Sequence, residues 1–157
     1  MTVHLSAPNR PPSGGARKRR REIRKFSADS TLAGTRTHSA VNLLIGVVGP
    51  CASGKTTLIA GLKQRGYHAR HIAQEHSFVP DMWQRLTNPN ILIFLDASYP
   101  VTCQRRKLDW SEADWREQQQ RLSHAKEHSD LYLKTDHLSI EEVLAQTLEF
   151  IQRKIAR

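Results

Sequence analysis

Two short runs constrain this chain more than any other feature. Leu43-Leu44-Ile45-Gly46-Val47-Val48 and Ile91-Leu92-Ile93-Phe94-Leu95 are apolar throughout, and the second closes on Asp96. Neither alternates as a strand wetted on one side would, and both are too short for buried helices. Such strands must be covered on both faces, which is the condition of a parallel sheet packed between helices.

The intervening segments supply those helices. Residues 55–65 place Leu58, Ile59 and Leu62 on one face and stop at Gly66. Residues 68–73 read as a weaker strand. Pro80 opens a short helix through Met82, Trp83 and Leu86, and Asn88-Pro89-Asn90 turns the chain. Pro100 suits the first turn of a helix running to Lys107, and Ser111 to Asp114 has capping-box spacing for a helix over 112–127. Leu131-Tyr132-Leu133 reads as a short strand. Ser139 and Glu142 form a second capping box, ahead of a helix striped by Ile140, Val143, Leu144, Thr147, Leu148, Ile151 and Ile155. The order β-α-β-α-β-α-α-β-α predicts an α/β fold: three layers, a short, mostly parallel sheet of about four strands, and right-handed crossovers.

Charge divides the chain into a tail, residues 1–40, and a folded domain, residues 41–157. Of 24 Lys/Arg and 15 Asp/Glu, the tail holds nine and two, leaving fifteen against thirteen in the domain. The basicity therefore belongs to the tail, whose Pro, Gly, Ser and Arg content predicts disorder. Any nucleic-acid or acidic-surface contact is expected there, at Arg17-Lys18-Arg19-Arg20-Arg21, set against a plain solvated extension. No run approaches eighteen apolar residues, so no membrane partner is expected. The first twenty residues lack the apolar stretch of a secretory signal, and two cysteines make no disulfide framework, so a cytoplasmic protein is expected.

The first apolar run leads into Gly49-Pro50-Cys51-Ala52-Ser53-Gly54-Lys55-Thr56, which satisfies the Walker A pattern G-x-x-x-x-G-K-[ST], or P-loop, between a strand and a helix. Each position has a physical reason. The glycines allow a tight loop whose amides converge on phosphate oxygens, and the following helix presents its positive end to the same anion. Lys55 supplies an ammonium for the β- and γ-phosphates, Thr56 a hydroxyl for Mg2+, and Thr57 continues the helix start. The expected cofactors are ATP, or another nucleoside triphosphate, and Mg2+. Asp96, ending an apolar strand as a Walker B aspartate does, is a candidate magnesium ligand, against the alternative of capping the turn before Pro100.

The loop, Leu95-Asp96-Ala97-Ser98 followed by Arg105-Arg106, and Asp130 to Asp136 leading into Ser139-Ile140-Glu141-Glu142-Val143 together resemble the small P-loop kinases. That group includes the shikimate, gluconate, adenylylsulfate and nucleoside monophosphate kinases, and the resemblance spans residues 43–155. It implies a P-loop NTPase fold and transfer of the γ-phosphoryl of ATP·Mg to a small hydroxyl or phosphate acceptor. It also implies a lid in which Arg105 and Arg106, with Arg116 and Arg121 beyond, neutralise the transferring group. Where such kinases often carry an aspartate pair, this chain has Gln74-Glu75-His76-Ser77, so Glu75 becomes the candidate catalytic base. The segment between Glu75 and Ile91 is too short for the usual strand and helix. A non-catalytic or regulatory nucleotide-binding module is therefore the competing expectation. The acceptor, the base preference and the choice of monomer or homodimer are left open.

Other signals are weaker. His124 and His128 face one way on a helix without a third ligand, and His68 and His71 point to opposite faces of a strand. Cys51 lies near a helix start, where a thiolate is stabilised, although a small loop residue is the simpler account. The three tryptophans read as packing residues. No Asn-Lys-x-Asp sequence and no Asp-x-x-Gly switch follows the loop, which argues against a signalling GTPase.

Overall fold

The computed structural model describes residues 43–107 and 110–157, so the expectations for the tail lie outside the described residues. The elements are β1 (Leu44–Val48), α1 (Lys55–Gln64), β2 (His68–His71), a 3-10 turn (Gln74–His76), α2 (Met82–Leu86), β3 (Ile91–Asp96), α3 (Tyr99–Arg105), α4 (Glu112–Glu127), β4 (Leu131–Lys134) and α5 (Ile140–Ile155). The expected order holds, with two corrections. The second strand ends at His71, because the chain winds into the 3-10 turn that carries Glu75. The helix after Pro100 stops at Arg105, with Arg106 extended.

All four strands run parallel in the order β2-β1-β3-β4. Ile45 stands opposite both Ala69 and Ile91, and Ile93 opposite Leu131. Side chains of a strand alternate, so the two apolar runs feed two cores. Ile45, Val47, Ile91, Ile93 and Leu95 pack against α1 and α5 through Leu58, Leu62, Val143 and Ile151. Val48, Leu92 and Phe94 pack on the other face against Trp83 of α2 and Leu122 and Ala125 of α4. Helices thus cover both faces of the sheet, as continuous hydrophobicity requires. Gly61 lets α1 approach α5 closely, since a Cβ there would lie 2.9 Å from Leu144 Cδ2. Both capping boxes form, Ser111 with Asp114 and Ser139 with Glu142.

The topology fixes where a site can be. From β1 the chain moves to β2 on one side, then crosses to β3 on the other. At such a reversal the loops leaving the carboxyl ends of neighbouring strands diverge and open a crevice. The residues after β1 and those after β2 line this one.

Gln74 anchors the second of these segments. It is fully buried; its Oε1 accepts from Trp83 N at 2.9 Å, while Nε2 donates to Val79 O at 2.8 Å and Arg121 O at 3.2 Å. One amide therefore ties the 3-10 turn to α2 and α4. Gln74→Leu should lower unfolding free energy by about 2–4 kcal/mol, because three backbone groups lose a partner in a dry site. Urea unfolding measures this, and a loss below about 1 kcal/mol would contradict the assigned role.

Candidate functional site

The segment between β1 and α1 is a tight loop with its backbone turned inward. Gly49 takes φ 149°, Ala52 φ 62° and Gly54 φ 99°. A Cβ on Gly49 would meet Leu95 O at 2.0 Å, so only glycine fits beside β3 there. Ala52 holds the left-handed conformation without being glycine, a strain of about 1–2 kcal/mol that the surrounding loop must offset. Ser53 N donates to Pro50 O at 3.3 Å and closes the turn. Gly54 caps α1 without a side-chain hydrogen bond, and the helix carries no acid in its first turn. Its unsatisfied amides and positive end therefore face outward without a built-in counter-charge.

Lys55 is folded back over this loop. Its side chain is 8% exposed, and Nζ donates to Gly49 O at 2.6 Å and Pro50 O at 2.8 Å. The same ammonium lies 2.8 Å from Glu75 Oε1, whose side chain is 2% exposed. Two backbone carbonyls and a carboxylate thus compensate its desolvation. His71 Nε2 stands 3.4 Å and His76 Nε2 4.0 Å from the same Glu75 oxygen. The second oxygen, Oε2, is buried and has no hydrogen-bond partner. Ser53 Oγ is likewise buried and unpartnered.

A cleft of about 680 Å³ opens over the loop. Residues 51–58, including Thr56 and Thr57, line it together with His71, Glu75, His76, Arg105 and Arg106. Among the described residues, Lys55, Arg105 and Arg106 bring three permanent cations to the lining, and Glu75 a single carboxylate. That balance attracts anions. Arg105 is held by Thr135: Nη1 donates to its hydroxyl at 2.8 Å and Nη2 to its carbonyl. Thr135 Oγ1 in turn lies 3.3 Å from Ser53 O, joining the end of β4 to the loop.

Asp96 is not brought to the cleft. It shares the parity of Leu92 and Phe94 along β3, so its side chain faces α4. There Oδ1 accepts from Gln119 Nε2 at 3.1 Å, and Oδ2 from Lys126 Nζ at 3.1 Å and Tyr132 OH at 2.7 Å. Both oxygens are engaged, and the expected magnesium ligand becomes an internal tie between β3, α4 and β4. Burial alone would raise its pKa, but bonds from Tyr132, Lys126 and Gln119 outweigh it and hold Asp96 below the ordinary 3.8. Burial, then the bond to Asp96, pushes the Tyr132 hydroxyl well up.

Arg121 reaches Glu75 O at 3.3 Å and stacks over Phe78, 4.1 Å from the ring centroid. Arg116 pairs with Glu112 along its own helix. Neither lines the cleft. Trp83 packs in the core, and its Nε1 donates to His124 Nδ1 at 3.0 Å; His124 stacks on His128, which settles that pair as packing. Trp115 bonds Ala97 O.

Four contributors were given no site role in the sequence: His71, His76, Gln118, whose Oε1 accepts from Cys51 N at 3.1 Å, and Thr135. Only His76 carried a signal, as the neighbour of Glu75. No protein-family model matches this chain, and no curated protein matches it either.

Asp96 gives a pH-dependent expectation. A carboxylate whose folded pKa lies below its unfolded value adds stability above the unfolded value, and loses it as pH falls through the folded one. Asp96→Asn should therefore cost most near about pH 7, and its deficit should shrink below about pH 4. Urea midpoints across that range measure it, and a deficit independent of pH would refute the assignment.

Proposed function

We propose that this chain binds a nucleoside triphosphate with Mg2+ in a P-loop fold, and transfers its γ-phosphoryl to a small hydroxyl or phosphate acceptor. The reading rests above all on one observation: an uncapped helix start and a glycine-bearing loop beneath a cationic cleft, with Lys55 parked on the loop's own carbonyls. A polyphosphate offers that ammonium better acceptors than neutral carbonyls do. The loop amides and Ser53 Oγ, a buried hydroxyl without a partner, fit an anion with many oxygens.

The donor set also suits the metal. Thr56 would hold Mg2+, which supplies neutralisation of charge on the phosphate oxygens. Lys55 and the helix end would orient the chain of phosphates, and Arg105 and Arg106, which also line the cleft, would add positive charge for them. Glu75, freed from Lys55, would be the base that accepts the proton of an incoming hydroxyl.

One feature favours the second reading, a nucleotide-binding module of little catalytic power. Among the described lining residues Glu75 brings the one carboxylate, and it is already paired to Lys55. A single acid cannot serve at once as metal partner and as base. No helix of the described residues is long and apolar enough to cross a membrane, so neither reading calls on one.

Thermal unfolding separates these possibilities. ATP with Mg2+ at about a hundred times Kd should stabilise the protein by about 2.7 kcal/mol, and Lys55→Ala should abolish the shift. Because that variant leaves Glu75 buried and alone, the double variant Lys55→Ala/Glu75→Gln serves as the folded control. Under the first reading, an acceptor panel then accelerates ATP consumption. Binding without acceptor-stimulated turnover selects the module, and no shift with any nucleoside triphosphate overturns both.

A further inference from the structure

We propose that Cys51, Glu75 and His76 form a binding site for a thiophilic divalent cation of the zinc class. Each residue offers one ligand atom, a sulfur, a carboxylate oxygen and a ring nitrogen, and the three lie within 4.8 Å of one another. Cys51 Sγ is 4.0 Å from His76 Nε2, and His76 Nε2 is 4.0 Å from Glu75 Oε1. Tetrahedral zinc, with bonds of about 2.0–2.3 Å, sets its ligand atoms about 3.3–3.7 Å apart. Closing the triad onto a cation therefore takes small movements. His76 can supply them, because its side chain is 62% exposed.

The carboxylate whose Oε1 stands near His76 and Lys55 is also under-satisfied at its other oxygen. Glu75 Oε2 is buried without any hydrogen-bond donor, in a residue only 1% exposed. A carboxylate oxygen stripped of water and unpaired is costly, and a cation removes that cost. The groups around the triad are arranged to steady it. Gln118 Nε2 stands 3.6 Å from Cys51 Sγ, and His71 Nε2 stands 3.4 Å from Glu75 Oε1. Such outer contacts orient first ligands.

The donor set chooses the metal. Thiolate and imidazole with one carboxylate suit zinc, cobalt or nickel and discriminate against magnesium and calcium, which prefer oxygen alone. On coordination the Cys51 thiol gives its proton to solvent. Three protein ligands leave a fourth position toward the cleft, as in zinc sites that keep a water. Glu75 serves both this cation and Lys55, so withdrawing the ammonium strengthens the cation's hold, and the converse follows. The site itself does not depend on the nucleotide reading.

The test uses the full chain, stripped with a chelator and titrated with Co2+ alone. One equivalent should produce a thiolate-to-cobalt charge-transfer band with the strong visible bands of four-coordinate cobalt, and Zn2+ but not Mg2+ should erase them. Cys51→Ser should remove the charge-transfer band and weaken Zn2+ binding at least about tenfold, whereas Cys103→Ser should change neither. If Cys51→Ser fails to fold, His76→Ala decides, since an exposed ring can be removed without disturbing the core. A drop of at least about tenfold supports the site, and unchanged affinity overturns it. Absence of the charge-transfer band in the parent chain overturns it as well, as does a band that survives Cys51→Ser or vanishes with Cys103→Ser.

Discussion

The buried contact between Lys55 and Glu75 organises the loop and the cleft together. Lys55 begins α1 and Glu75 lies in the turn after β2, so a single ion pair fastens the loop leaving β1 to the turn leaving β2. Removing one member of such a pair costs about 3–5 kcal/mol, mostly through the charge left behind. The pair is also incomplete. Lys55 satisfies its remaining donors on carbonyls, whereas Glu75 keeps one oxygen without a donor. The ammonium therefore has alternatives and the carboxylate has an unmet need.

Asp96 presents the opposite case. It stands at the end of the strand beside the loop, yet three donors occupy both of its oxygens on the far face of the sheet. Parity along β3 decides this. Leu95 points to the core under α1, and its carbonyl crowds Gly49, so the next side chain must project toward α4. An apolar strand ending in aspartate is thus compatible with a structural carboxylate as well as a functional one. The sequence pattern carries no information about which face the acid occupies.

Much of the fold was legible because its signals are local. Continuous apolar runs marked β1 and β3, both capping boxes formed as read, and α4 spans the anticipated residues. The loop around Lys55 was legible for the same reason, since glycine, lysine and threonine sit at fixed spacing. The partners of Lys55 were less so. That β2 lies directly beside β1 is a property of strand order, and only strand order brings His71, Glu75 and His76 next to Cys51. The 3-10 turn lay in a stretch assigned no regular structure, because a turn of three residues has no period to detect.

Helix α4 touches both walls of the cleft from behind. Gln118 receives the amide of Cys51 on one wall, while on the other Arg121 accepts from the Gln74 side chain and donates to the Glu75 carbonyl. The two walls therefore hang from neighbouring turns of a single rod, like jaws bolted to one bar. Movement of either wall would break these hydrogen bonds or carry the bar with it. Substitutions along the hidden side of α4, far from any bound molecule, would then retune how wide the jaws stand while leaving every residue that lines them unchanged.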